Sequence, residues 1–235
     1  MATDSDKRIA VEEDGPYQVY GDIPLVCKTQ VVSEYGEPLT WKKEETLETS
    51  ETYKLCRCGE SSTPPFCDST HREIGFDGTE TADTNVTAER QVVSADGTKI
   101  IVKRDHSLCM ESGFCGMRSA NIEQMVGQTG DTNVRSQVIA MIERCPSGSY
   151  TYTIEEGEQD IEPDLPQQIA VVTEITSDGP IAGPYWVTGN IAVERADGRP
   201  IETRNRVMLC GCGQSQIKPL CDGTHRRTAG SHQAA

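Results

Sequence analysis

Aromatic residues, long apolar runs and positive charge are all scarce in this chain. Aromatics make up 5% of the 235 residues, with three Phe and two Trp, and hydrophobic residues only 35%. A large core built on aromatic packing is excluded, and small units with poor cores usually need covalent or metal staples. No run approaches the ~18 apolar residues of a membrane span. The opening, MATDSDKRIAVEEDG, has neither an apolar leader core nor an arginine-rich, acid-poor presequence, so a cytoplasmic location is expected. The formal charge of −15 argues against nucleic acid and anionic membranes as partners, and suits docking to a basic patch on another protein. There is no glycine-rich nucleotide loop, no nucleophile–base constellation and no open carboxylate–histidine triad. An enzyme is therefore not expected, although a role as the redox part of one stays open.

Cysteine, by contrast, is plentiful, with ten residues. Three fall in CRCGESSTPPFCDSTH (56–71), three in CGCGQSQIKPLCDGTH (210–225), three in the middle of the chain, and Cys27 stands apart in an apolar run. A disulfide framework would not explain why both outer groups end in a histidine at the same place. Each reads C-x-C-x8-C-x3-H with a proline two residues before the third cysteine (Pro65, Pro219). The candidate ligands are Cys56, Cys58, Cys67 and His71 in one, and Cys210, Cys212, Cys221 and His225 in the other. A C-x-C pair offers two thiolates from one strand or tight turn. The third cysteine and the histidine lie four apart, as neighbours on a helical turn. Asp68 or Asp222 suits the start of that turn, where backbone N–H groups are free and favour an anionic site. The spacing fits a 2Fe–2S rhomb with one ligand pair per iron, and it also fits one structural zinc. Cys27 reads as a free buried thiol.

The second copy resembles throughout the signature of the CDGSH iron–sulfur domain family, through Cys210, Cys212, Ser215, Pro219, Cys221, Asp222, Gly223, Thr224 and His225. The first matches at Cys56, Cys58, Ser61, Pro65, Cys67, Asp68, Thr70 and His71, but has Ser69 where the family has glycine. If that backbone position needs φ > 0, serine costs about 1 kcal/mol. The resemblance implies a 2Fe–2S cluster in each copy, held by three cysteines and one histidine. It also implies a two-fold assembly around a β-rich core.

GPYQVYGDI (15–23) recurs as GPYWVTGNI (183–191), so the outer regions are two copies of one unit, a single-chain equivalent of a dimer. A monomer with internal pseudo-twofold symmetry is expected. Short strands are predicted at Tyr17–Tyr20, Leu25–Val32, Tyr53–Leu55, Ile169–Thr173, Tyr185–Val193 and Arg206–Leu209. Residues 1–14 read as a loose lead-in, Lys42–Glu51 as an exposed excursion, and Arg226 onward as a frayed tail in which His232, like His106, does nothing specific.

The middle differs. Arg90–Val93 and Lys99–Val102 flank Ala95-Asp96-Gly97, a hairpin signal. Asp131 offers an N-cap for an amphipathic helix carrying Val134, Val138, Met141, Ile142 and Cys145 on one face. SGSYTYTI then reads as a strand. Cys109, Cys115 and the Cys145-Pro146 pair resemble a ferredoxin pattern in which Ser112 stands where a second cysteine belongs. The stretch, with its closing RCPSG, resembles the divergent single-cluster ferredoxin family. Three thiolates suit a 3Fe–4S cluster; a 4Fe–4S cluster needs a fourth ligand such as Ser112, Glu111, His106 or water. The alternative is three core cysteines in a small domain.

The expected fold is α+β: two small β-rich halves, 1–84 and 163–235, around an inserted ferredoxin-like α+β domain, 85–162. The expected function is electron transfer to a redox partner, because thiolate-held clusters move an electron with little reorganisation. All-cysteine plant ferredoxins lie at about −400 mV and two-histidine Rieske centres at roughly −150 to +300 mV, so one histidine is expected to fall between. Cluster donation to other proteins and a purely structural zinc role are the alternatives.

Overall fold

A computed structural model describes residues 7–96 and 99–228. Glycine, proline and Asx turns cut the β-branched stretches into short strands. The first half holds β1 (Arg8–Val11), β2 (Tyr17–Tyr20), β3 (Leu25–Val32), β4 (Pro38–Leu47), β5 (Thr52–Leu55) and the single-turn α1 (Thr70–Glu73). The middle holds α2 (Thr87–Arg90), β6 (Val92–Asp96), β7 (Ile101–Arg104), β8 (Gly116–Met117), β9 (Ala120–Asn121), α3 (Ile122–Met125), α4 (Thr132–Arg144) and β10 (Tyr150–Thr153). The second half holds β11 (Gln168–Thr176), β12 (Gly179–Thr188), β13 (Ala192–Glu194), β14 (Arg206–Leu209) and α5 (Thr224–Thr228).

The two outer halves exchange strands. One sheet runs β13-β1-β2-β5 and another β14-β12-β11-β3-β4. Each half contributes an antiparallel trio, β1-β2-β5 or β11-β12-β14. The strand after each repeated GPY segment then crosses to lie parallel to the other half's first strand: β3 beside β11 and β13 beside β1. The crossing follows from the repeat itself, whose glycine turns at Gly21-Asp22 and Gly189-Asn190 all have positive φ. One hydrophobic core results, joining Ile9, Val19 and Leu25 to Ile169, Val187 and Leu209. The pseudo-twofold, α+β architecture expected from the repeat is present.

The middle region packs its own core of Ile100, Val102, Ile122, Val138, Ile142 and Tyr152. β6 and β7 form the expected hairpin, with Gly97 of its turn outside the described residues. Asp131 caps α4 by accepting from the N–H groups of Asn133 and Val134. A third apolar cluster, with Val26, Met110, Trp186 and Cys221, joins the middle to both halves.

Five expectations need correction. The lead-in contains β1, a central strand with a buried Ile9. Lys42–Glu51 is not a loop excursion: through Leu47 it is β4, the edge strand beside β3. Its charges are those that keep an exposed edge from pairing with other chains. Tyr185–Val193 is two strands in different sheets, broken at Gly189-Asn190. Arg226 is tied down rather than frayed, by a hydrogen bond to Glu174; residues 229–235, with His232, lie outside the described residues. Cys27 is half-buried rather than buried, on β3. No helix among the described residues is long and apolar enough to cross a membrane.

Candidate iron–sulfur centres

Each outer motif is assembled the same way. The first cysteine of each motif follows directly on β5 or β14, so the strand end places the C-x-C turn. Cys56 N–H donates to the Pro65 carbonyl and Cys210 N–H to that of Pro219, both at 2.8 Å. Cys67 N–H donates to Lys54 and Cys221 N–H to Met208, which draws the third cysteine back against the strand. The motif serine holds the loop between them: Ser61 Oγ donates to the Phe66 carbonyl and Ser215 Oγ to that of Leu220, each at 2.7 Å. Asp68 and Asp222 then accept from the N–H groups of Thr70 and Thr224, at 3.0 and 2.9 Å, and start the helical turn that carries the histidine.

The donors come together in pairs. Cys56 and Cys58 sulfurs lie 3.6 Å apart, and Cys210 and Cys212 sulfurs 3.7 Å apart. Cys67 Sγ lies 3.4 Å from His71 Nδ1, and Cys221 Sγ 3.5 Å from His225 Nδ1. Among the described residues, no three His, Cys, Asp or Glu side chains are grouped tightly enough to share one metal ion. The N–H groups of Ser69 and Gly223 point at the third sulfur, at 3.4 and 3.5 Å. Soft sulfur donors, an imidazole nitrogen and oriented N–H groups suit an anionic, thiolate-held centre.

Electrostatics agree with that need. Burial pushes the Cys67 and Cys221 thiols up. Burial likewise pushes Cys58 up to about 11. The contact between the Cys210 and Cys212 sulfurs holds the Cys210 thiol down and pushes Cys212 up in return. Buried thiolates of this kind are costly unless a soft cation neutralises them. All ten cysteines are free of disulfides, as the motif arithmetic implies.

The structure also brings the two motifs into contact. A Cβ added at Gly59 would meet the Cys212 carbonyl at 2.8 Å, and one at Gly213 would meet that of Cys58 at 2.6 Å. The C-x-C-G turns therefore touch backbone to backbone. Tyr17 Oη donates to the Cys210 and Pro219 carbonyls at 2.8 and 3.1 Å, and Tyr185 Oη to those of Cys56 and Pro65 at 2.8 and 3.2 Å. Each tyrosine supports the ligand loop of the opposite half. Neither tyrosine belongs to a ligand motif, although both stand at the same place in the GPY repeat.

In the middle, Cys109 follows a short turn capped by Asp105, which is paired with Arg90 at 2.8 Å. Cys115 is pushed up by burial and by the charges of Cys145 and Cys109, so the three thiols share one neighbourhood. Cys145 ends α4. The fully buried Arg206 of β14 donates to the carbonyls of Ile142, Glu143 and Cys145, satisfying acceptors a helix C-terminus leaves open. Of the candidate fourth ligands, Glu111 is paired with Arg227 at 3.1 Å, while Ser112 is buried. Ser147 Oγ, which the spacing did not single out, lies 3.6 Å from Cys145 Sγ. Met110, next to Cys109, packs with Cys221, and a Cβ on Gly223 would meet the Met110 carbonyl at 2.9 Å. The middle site thus abuts the second outer site.

This fold and these donor sets define an iron–sulfur protein. Two stretches, 14–72 and 182–226, match the family described as iron-binding zinc finger CDGSH type. Residues 95–155 match the divergent 4Fe-4S mono-cluster family. The chain thus carries two CDGSH-type regions, with a divergent 4Fe–4S region set between them. No curated protein matches the chain.

Proposed function

We propose that the chain is an electron-transfer protein with two 2Fe–2S clusters and a third, ferredoxin-like cluster. Cys56, Cys58, Cys67 and His71 would hold one 2Fe–2S cluster, and Cys210, Cys212, Cys221 and His225 the other. Cys109, Cys115 and Cys145 would hold the third, as 3Fe–4S or, with an oxygen ligand, 4Fe–4S. The observation that carries the reading is the pairing of donors, two sulfurs in one pair and a sulfur with an imidazole in the other. A single zinc needs four donors around one point, whereas a two-iron rhomb takes one pair per iron.

When bound, iron–sulfur clusters supply one-electron redox chemistry at thiolate-held irons. The chain's contribution is proximity and insulation. The Cys58-Gly59 and Cys212-Gly213 turns touch, and Met110 bridges from Cys109 to Cys221. Buried Tyr17 and Tyr185 pack edge to face between the two ligand loops. A redox partner with a basic patch suits the net charge of −15.

Cluster donation to apo-proteins is the competing role. Mixing loaded protein with an apo-ferredoxin separates the two. The electron-transfer reading expects reversible reduction and re-oxidation with iron retained. Delivery of iron and sulfide to the acceptor faster than spontaneous loss would replace it with the carrier role.

A further inference from the structure

The two outer sites are copies in sequence, but their histidines are held differently. Nε2 of His225 lies 3.0 Å from Oε2 of Glu174, a carboxylate fully shielded from solvent. Nε2 of His71 has no hydrogen-bond partner among the described residues; a pocket of about 460 Å³, lined by Glu12, Glu13 and Asp14 among others, opens beside the ring.

The difference is built into the fold. β1 and β11 occupy equivalent places, with Val11 opposite Tyr17 and Val171 opposite Tyr185. After Val11 the chain turns at Glu12–Gly15. After Val171 it bulges and continues to Thr176 as a long hairpin with β12. That extension carries Glu174 over His225. Arg226 donates to the same oxygen at 2.7 Å and fixes the carboxylate in place, while Oε1 has no partner.

We propose that Glu174 is a positioning residue that makes the second outer site the lower-potential one of the pair. The inference rests on the two-cluster reading above. A carboxylate accepting from Nε2–H leaves the Nδ1 lone pair, the atom beside Cys221, free for a metal, and it makes the imidazole a stronger donor. A stronger donor favours the oxidised, more positive iron. The first site carries the opposite bias. Its C-x-C turn contains Arg57, buried, with its guanidinium carbon 5.8 Å from the Tyr17 ring centroid and 5.3 Å from that of Phe76. The second site has Gly211 there. The nearby acid Glu80 accepts from the Ala196 N–H and faces both Arg57 and Arg195. A buried cation favours added negative charge, so an electron shared between the two outer sites settles on the first.

The test is a redox titration of the full-length, cluster-loaded chain followed by EPR, with iron and sulfide measured on each sample. H225C and H71C assign the two outer midpoints. In wild type the midpoint moved by H225C is expected to be the lower of the two. E174Q, which keeps an acceptor but removes the charge, is expected to raise that midpoint alone and to weaken the nitrogen hyperfine coupling of His225. Intact iron and sulfide with both midpoints unmoved, both moved equally, or the H225C-assigned midpoint the higher, would overturn the inference alone. Zinc without sulfide would overturn the two-cluster reading with it.

Discussion

The ring of Tyr17 meets that of Tyr185 edge to face, centroids 6.0 Å apart, and each hydroxyl bonds the ligand loop of the half it does not belong to. Stability at each outer site therefore depends on the other half of the chain.

Tyr17→Phe is expected to weaken the site of Cys210, and Tyr185→Phe that of Cys56. Losing a buried donor costs about 1–3 kcal/mol. The rate of visible bleaching, resolved by site through the EPR midpoints, checks this. A variant that loosened only the site in its own half would contradict the crossed arrangement.

Gly59→Ala and Gly213→Ala should each damage both outer sites. Both residues have positive φ, at 85° and 74°, and their turns are in backbone contact. The left-handed conformation alone costs an L-residue about 1–2 kcal/mol. Iron retained after desalting is expected to fall at both sites together; loss confined to one would mean that the turns do not support each other.

Ser69→Gly tests the one departure from the motif. Ser69 has φ 79°, beside 83° for Gly223 in the second copy. Relief of that conformation is expected to stabilise the first site by roughly 1 kcal/mol. Thermal melting of the loaded protein should shift upward by a few degrees, and a decrease would show that the serine side chain contributes something the turn needs.

Acid is expected to release iron through the histidines, since protons compete with the metal for imidazole nitrogen. The sign is set by that competition: retention is full at neutral pH and falls as pH drops. His225→Cys and His71→Cys should each slow acid release at their own site and lower its potential. Equal lability of wild type and variants at pH 5 would place the weak point elsewhere.

The candidate ligands stand out in the sequence because a C-x-C-x8-C-x3-H spacing reports on one strand end and one helical turn, which are local structures. The repeated GPY segment likewise disclosed the two-fold. What the sequence did not disclose was long-range. β1 reads as lead-in because it is only four residues long in a charged stretch, and the partner that makes it central, β13, lies about 180 residues away in sequence. β4 looked like a loop because an edge strand carries charge on its exposed face. Glu174 was hidden because a glutamate between β-branched neighbours reads as the polar face of a strand, and only the lengthened hairpin sets it against His225. Arg206 was hidden in the same way, as a strand residue whose partners are the carbonyls of a helix in another region.

Whether the chain holds three iron–sulfur centres is decided by the iron, sulfide and zinc content of anaerobically purified protein, with EPR before and after dithionite. About seven or eight irons per chain, with matching sulfide, are expected: two at each outer site and three or four in the middle. Four irons would remove the middle centre, and zinc without sulfide would contradict the account as a whole.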